Sequence, residues 1–296
     1  MSASRDRLIG FLLVLGSAAG FGLMPLFARV AYADGLSPSA LMALRFLAAS
    51  VCLGVLVRLR GESLPRGRTL AALLLMGGGL YTLIAQCYFS ALTQASAALV
   101  ALVLYTYPVL VMGANVLLFG EPPTWRKCAV AGLAMLGLAI TVGSDLSGAW
   151  GGIGLALGSA FGYAVYILVG DRAAGDCQPL AGSFVVIAAS ALSCTLLALA
   201  DGWRMPQSLH GWSAVLALAL VSTVLAIVAF LAGLRRIGST STAMASTVEP
   251  VVAVLGAAVF LGEPLTVARV CGGFFILWAV ILLARTPVQS TQGVVA

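Results

Sequence analysis

Two ionisable residues stand inside apolar stretches of this 296-residue chain, and together they could hold a zwitterion. Glu249 lies near the middle of one stretch and precedes Pro250, while Arg45 lies within another. Charged side chains are costly in hydrocarbon and there face a cavity or a partner. For Glu249 three uses stay open: binding a substrate ammonium, carrying a proton, or pairing with another polar group. Arg45 could clamp a carboxylate, snorkel outward or bind a carbonyl or helix end. Pro250 also lacks an N–H, which frees a carbonyl one turn back, near Ala245 or Ser246.

Tyrosines cluster around these positions. Tyr81 and Tyr88 share a helix face with Gln86 between them in sequence, and Tyr163 and Tyr166 are three apart and adjacent on theirs. Tyr105 and Tyr107 precede Pro108. A tyrosine deep in a membrane needs a hydrogen-bond partner or water, so these positions predict a hydrated path lined by rings. Asn115 and Trp278 are weaker candidates for the same lining. Trp125, Trp150, Trp203 and Trp212 flank apolar stretches, as interfacial anchors do. Glu121 and Glu263 sit beside prolines at the ends of such stretches and read as helix-end and turn residues.

Other chemistry lacks its parts. The single histidine, His210, has no membrane serine beside it, and the six aspartates fall in loops or tails. The six cysteines form no CxxC pair, so metal and disulfides are not expected, nor is any cofactor. The single lysine, Lys127, is not in a phosphate-binding loop. An enzyme or an ATP-driven pump is therefore not expected.

The elements that position these residues follow from composition. Hydrophobic residues make up 61% of the chain and charged residues 9%, with a mean hydropathy of +1.08. Lipid must cover so much apolar surface. The sequence predicts ten membrane helices, at 8–31, 38–58, 69–92, 95–119, 126–143, 151–170, 179–200, 211–235, 239–261 and 267–285. With the N-terminus cytoplasmic, Arg5, Arg7, Arg58, Arg60, Arg66, Arg68, Arg126, Lys127, Arg172, Arg235, Arg236 and Arg285 fall inside, against Arg29, Arg204 and Arg269 outside. That bias places both termini in the cytoplasm. It also accounts for the net charge of +6, so no nucleic acid is implied.

The chain reads twice at an offset of 142 residues without gaps. Gly16-Ser17-Ala18-x-Gly20 returns as Gly158-Ser159-Ala160-x-Gly162, Pro108-Val109 as Pro250-Val251, and Gly120-Glu121-Pro122-x-Thr124 as Gly262-Glu263-Pro264-x-Thr266. The first repeat covers 1–145, the second 146–286, and 287–296 is a polar tail. Five helices per copy make the second copy enter the membrane from the opposite side, the inverted plan that alternating access uses. Gly16, Gly20, Gly158 and Gly162 read as close-packing positions, with rocking at these helices as the sharper reading. Gly77-Gly78-Gly79 is a packing surface or a flexible point.

Pro-Val followed by Gly-Glu at a helix end, in both copies, resembles the EamA repeat of the drug/metabolite transporter superfamily. The likeness covers roughly 8–285 and is greatest to YddG-type aromatic amino-acid exporters of bacterial inner membranes. It implies an all-α integral membrane fold and secondary transport or facilitated export of small amphipathic metabolites. Amino acids with aromatic or apolar side chains are the expected substrates, crossing a central cavity between the repeats. The implied lining includes Tyr81, Gln86, Tyr105, Tyr107, Tyr163, Tyr166, Glu249 and Arg45, with Pro108 and Pro250 as conformational positions. Position 187, equivalent to Arg45, is isoleucine, so the halves have specialised. Export of another metabolite or drug, translocation of a lipid head group and a passive channel are the alternatives. A monomer in contact with lipid is expected, with protons as a candidate coupling ion.

Overall fold

A computed structural model describes residues 2–119, 125–143, 149–173, 177–246 and 248–284. The first copy of the Gly-Glu-Pro motif and the polar tail lie outside the described residues, as do the side chains of Pro108 and Asn115.

Fourteen α-helices and two π turns make up the described secondary structure. The helices are α1 (Ser2–Gly22), α2 (Met24–Ala33), α3 (Pro38–Leu59), α4 (Gly67–Leu75), α5 (Thr82–Gln94), α6 (Ala97–Leu104) and α7 (Tyr107–Phe119). They continue as α8 (Trp125–Gly143), α9 (Trp150–Ala173), α10 (Pro179–Ala200), α11 (Leu209–Ala219), α12 (Ala226–Ser246), α13 (Val248–Leu261) and α14 (Val267–Ala284). Among the described residues, six helical stretches are long and apolar enough to cross a membrane: Arg5–Ala33, Pro38–Leu59, Gly67–Gln94, Trp150–Gly170, Pro179–Ala200 and Leu209–Ile237. Ala97–Val111, Val248–Leu261 and Val267–Ala279 are shorter apolar helices.

Several expected spans are broken where proline dictates. Pro25 lies at the start of α2, and Leu23 separates that helix from α1. Pro108 cannot donate to the carbonyl four residues earlier, that of Leu104, which is where α6 ends. One expected boundary is not observed. The sequence divides 211–235 from 239–261, yet α12 runs unbroken through Ser246. The first repeat breaks at the corresponding place because Ser96 caps α6, its hydroxyl accepting from the Leu99 N–H at 3.3 Å. The equivalent position is Gly238, which brings no oxygen.

The two π turns fall at matching places in the repeats. Met76–Tyr81 joins α4 to α5, and Leu220–Leu225 joins α11 to α12. In each, a threonine hydroxyl returns to the carbonyl five residues earlier: Thr82 to Gly77 at 2.9 Å, and Thr223 to Leu218 at 2.9 Å. π turns arise where helical backbone bonding is redirected, often at functional positions. Gly77 lets α10 lie directly on the first π turn, because a Cβ there would collide with the Val186 backbone. Ser190 of α10 completes the contact, donating to the Gly77 carbonyl at 2.8 Å.

The repeated Gly-Ser-Ala-x-Gly motif builds the seams between the halves. Ser17 of α1 donates to the Ala226 carbonyl at 2.8 Å, and Ser159 of α9 donates to the Ile84 carbonyl at 3.1 Å. Both donor and acceptor are offset by 142 residues, so this is one hydrogen bond made twice. The second glycine of each motif is the tight one. A Cβ at Gly20 would lie 3.0 Å from the Val221 carbonyl oxygen, and one at Gly162 would lie 2.8 Å from Ile84 Cγ1. Gly16 has open space and Gly158 only ordinary contact with Cys87, so the first glycines do not set the packing.

Candidate functional site

The seams bring the rings singled out in the sequence into one continuous series. Phe46 of α3 lies 5.8 Å from Tyr81, and Tyr81 lies 5.5 Å from Tyr166. Tyr166 stacks on Tyr163 at 6.2 Å with planes only 6° apart. Tyr163 meets Tyr107 edge-on at 4.7 Å, and Tyr107 lies 6.0 Å from Tyr105. The series therefore crosses from the first repeat to α9 of the second and back again. Each such pair contributes about 0.5–1.5 kcal/mol beyond its buried area, enough to fix ring positions.

Charges stand at both ends. Glu249 lies beside the Tyr105 hydroxyl, which donates to the Ser246 carbonyl at 3.5 Å, the long end of a hydrogen bond. Ser246 is four residues before Pro250, so the carbonyl freed by that proline is the one engaged. At the other end, Arg45 lies over Phe46 at 5.0 Å and Phe89 at 5.3 Å. Its Nε donates to Thr223 in the second π turn at 2.8 Å, and Nη1 points at Met42 Sδ at 3.9 Å. Arg45 is only 2% exposed, and no carboxylate pairs with it among the described residues. It does not snorkel outward. A guanidinium held by rings and one hydroxyl is thus buried without a carboxylate partner among the described residues, at a desolvation cost.

Tyr81, Tyr107, Tyr163, Tyr166 and Glu249 are half-buried. Gln86 stands apart from the rings, its amide directed at Cys194 Sγ, 4.0 Å away. Tyr88 is buried and meets Phe89 edge-on at 5.3 Å, supporting the ring beneath Arg45. Trp278 is half exposed and packs on Phe274, away from the series.

Three partners were not legible beforehand. Phe46 and Phe89 are ordinary core phenylalanines in sequence, and Thr223 is one of several hydroxyl residues in its helix. Their importance follows only from the meeting of α3, α5 and the second π turn. Glu263 had a local signal, and its reading as a helix-end residue is extended across the repeats. Its carboxylate accepts from the Ala97 and Ala98 N–H groups of α6, at 2.8 and 3.3 Å, and lies 3.6 Å from Arg269 Nη1. Arg269 donates to Ser96 Oγ at 3.0 Å and to the Pro264 carbonyl at 3.0 Å. The second copy of the Gly-Glu-Pro motif thus staples its own loop to the first repeat. Nearby, Asp34 accepts from the Gln207 and Ser208 N–H groups at 2.7 and 3.1 Å. Hydrogen bonding to Ser208, first through its side chain, holds the Asp34 carboxyl below its ordinary range.

Apolar helices of membrane length, equivalent seams and an enclosed polar series with a cation and a carboxylate define a transporter rather than an enzyme. The EamA-like transporter family model matches residues 8–143 and again 150–285, and the chain belongs to that family as a multi-pass membrane protein. It is 31% identical over 265 residues to the inner membrane transporter YedA of Escherichia coli (strain K12), covering 83% of this chain and 81% of YedA. YcbK, a transporter of Bacillus subtilis (strain 168), is 26% identical, with 93% of each chain covered. The threonine/homoserine exporter RhtA of Escherichia coli (strain K12) is 32% identical over 146 residues, 48% of this chain and 47% of RhtA. A crystal structure superposes with a TM-score of 0.67 over 95% of this chain and 96% of the other. At 21% identity, that likeness shows the fold alone.

Proposed function

We propose that the chain exports small zwitterionic metabolites, foremost amino acids with aromatic or apolar side chains, from the cytoplasm across the inner membrane. The observation that carries this reading is the ring series running between Arg45 and Glu249. Arg45 supplies the cation for a carboxylate, and Glu249 the anion for an ammonium. Tyr81, Tyr107, Tyr163 and Tyr166 supply faces for an apolar side chain. Both repeats contribute, as alternating access requires, with 1–145 and 146–286 as inverted five-helix units in a monomer. The half-length likeness to a threonine/homoserine exporter supports the second reading, a smaller hydroxylated amino acid.

Uptake of labelled phenylalanine into proteoliposomes tests the proposal, with unlabelled leucine and threonine as competitors and an imposed pH gradient as a second condition. Saturable uptake, blocked by leucine more than by threonine, is expected. Stronger competition by threonine would favour the second reading. Gradient acceleration that is lost in Glu249→Gln, with binding retained, identifies Glu249 as the proton carrier. No saturable uptake above empty liposomes, with phenylalanine or with threonine as the labelled amino acid, would overturn the amino-acid reading.

A further inference from the structure

A cavity of about 470 Å³ lies between α1, the turn after α3, α10 and α12, and contains none of the rings above. Arg60, Arg235 and Arg236 line it together with Asp6 and Glu62. The acids are engaged. Asp6 pairs with Arg236 at 3.2 Å, and Glu62 accepts from the Ala181 N–H in the first turn of α10 at 3.0 Å. Gly61, at a φ of +64°, ends α3 and turns Glu62 toward that helix. Arg60 and Arg235 are exposed and have no partner among the described residues. Between them the wall is apolar, made by Leu180, Val228 and Leu231.

Charge above and hydrocarbon below is the complement of a phospholipid, with a phosphate at the surface and acyl carbons beneath. The volume lies within the range of small-molecule sites, roughly 300–1,000 Å³. The charge is also confined to one face. The positions equivalent to Arg60, Arg235 and Arg236 are Gly202, Thr93 and Gln94, so the repeat does not reproduce it. This is the face that the arginine bias assigns to the cytoplasm. We propose that the cavity binds an anionic phospholipid of the cytoplasmic leaflet, its phosphate between Arg60 and Arg235 and its first acyl carbons over Val228 and Leu231. The lipid is a resident ligand and not cargo, so the site stands whether or not amino acids are the substrate.

Native mass spectrometry of the purified full chain, titrated with phosphatidylglycerol or phosphatidylcholine, tests it. Each surface arginine contributes about fivefold to binding an anionic lipid, so Arg60→Gln with Arg235→Gln should lower the phosphatidylglycerol preference roughly 25-fold. Arg5→Gln with Arg7→Gln removes equal charge from the same face at residues that do not line the cavity, and should lower the preference far less, since no contact to the phosphate is lost. Because Arg60 and Arg235 have no side-chain partner among the described residues, their variant should stay monodisperse; if it does not, Val228→Trp, which fills the apolar wall, should lower phosphatidylglycerol binding itself. An unchanged preference in the arginine variant, unchanged lipid binding in Val228→Trp, or an equal loss of preference in the Arg5/Arg7 variant would overturn the proposal. Displacement of phosphatidylglycerol by millimolar inorganic phosphate would also overturn it, by making this a free-anion site.

Discussion

Replacing Thr223 by valine removes one hydroxyl at nearly constant volume and strips Arg45 of its only oxygen partner among the described hydrogen bonds. A hydrogen bond to a charged group contributes about 1.5–3 kcal/mol. The same hydroxyl also donates to the Leu218 carbonyl, and a polar bond of that kind within a membrane averages about 0.6 kcal/mol. Thr223→Val should therefore cost about 2–3.5 kcal/mol. Arg45→Met behaves differently. It forfeits two ring contacts of about 0.5–2 kcal/mol each. It also removes a buried charge together with its desolvation cost, which offsets that loss. The net change should be small. In the Arg45→Met background, Thr223→Val should cost only the intrahelical bond, about 0.6 kcal/mol. The difference is a coupling energy of about 1.5–3 kcal/mol, several times the usual departure from additivity between independent sites. Reversible unfolding in mixed micelles with increasing dodecyl sulfate measures all four corners of the cycle. Transport should vanish in Arg45→Met although the protein stays folded. Additive costs, or a loss above about 3 kcal/mol in Arg45→Met alone, would refute this reasoning and make Arg45 a structural clamp.

Further outcomes follow from the seams and the loops. Gly20→Ala should cost about 1–3 kcal/mol, because the new Cβ meets a backbone oxygen that cannot rotate away, as overpacked sites do. Gly16→Ala should be neutral or stabilising by up to about 1 kcal/mol through helix propensity; the same unfolding assay ranks the pair, and equal costs would contradict the assignment of the tight glycine. Ser17→Ala and Ser159→Ala should each cost about 0.6 kcal/mol and add in the double variant, since each acceptor carbonyl keeps its helical bond. For Asp34, the folded-state pKa is depressed by Ser208, so its stabilisation is complete above the unfolded value and is lost as pH falls through the folded one. Stability of the parent protein should therefore drop more steeply below about pH 4 than that of Asp34→Asn, which thermal denaturation across a pH series would register.

The sequence carries the architecture in its apolar runs, and Pro38–Leu59 and Pro179–Ala200 fall within a residue of the spans read from it. Pro250 foretold the engaged carbonyl at Ser246, because a missing N–H is a local fact. The tyrosines are likewise legible by type, although which ring meets which depends on how α9 enters the first repeat. The π turns are not legible. Gly77-Gly78-Gly79 marks one, but Leu220–Leu225 has no glycine, and the register of backbone bonding leaves no trace in composition. The continuity of α12 through 236–238 was missed for a related reason: one lost cap, Ser96 against Gly238, outweighs the resemblance around it.

The paired π turns also set a shared phase. Such a turn holds one residue more than the α turn it replaces, which rotates everything beyond it by about 100° relative to a regular helix of 3.6 residues per turn. The halves align without a gap and their π turns correspond to within two residues. Both halves therefore carry the same shift in winding at nearly equivalent places, and a deletion restoring regular winding in one of them would leave the pair mismatched.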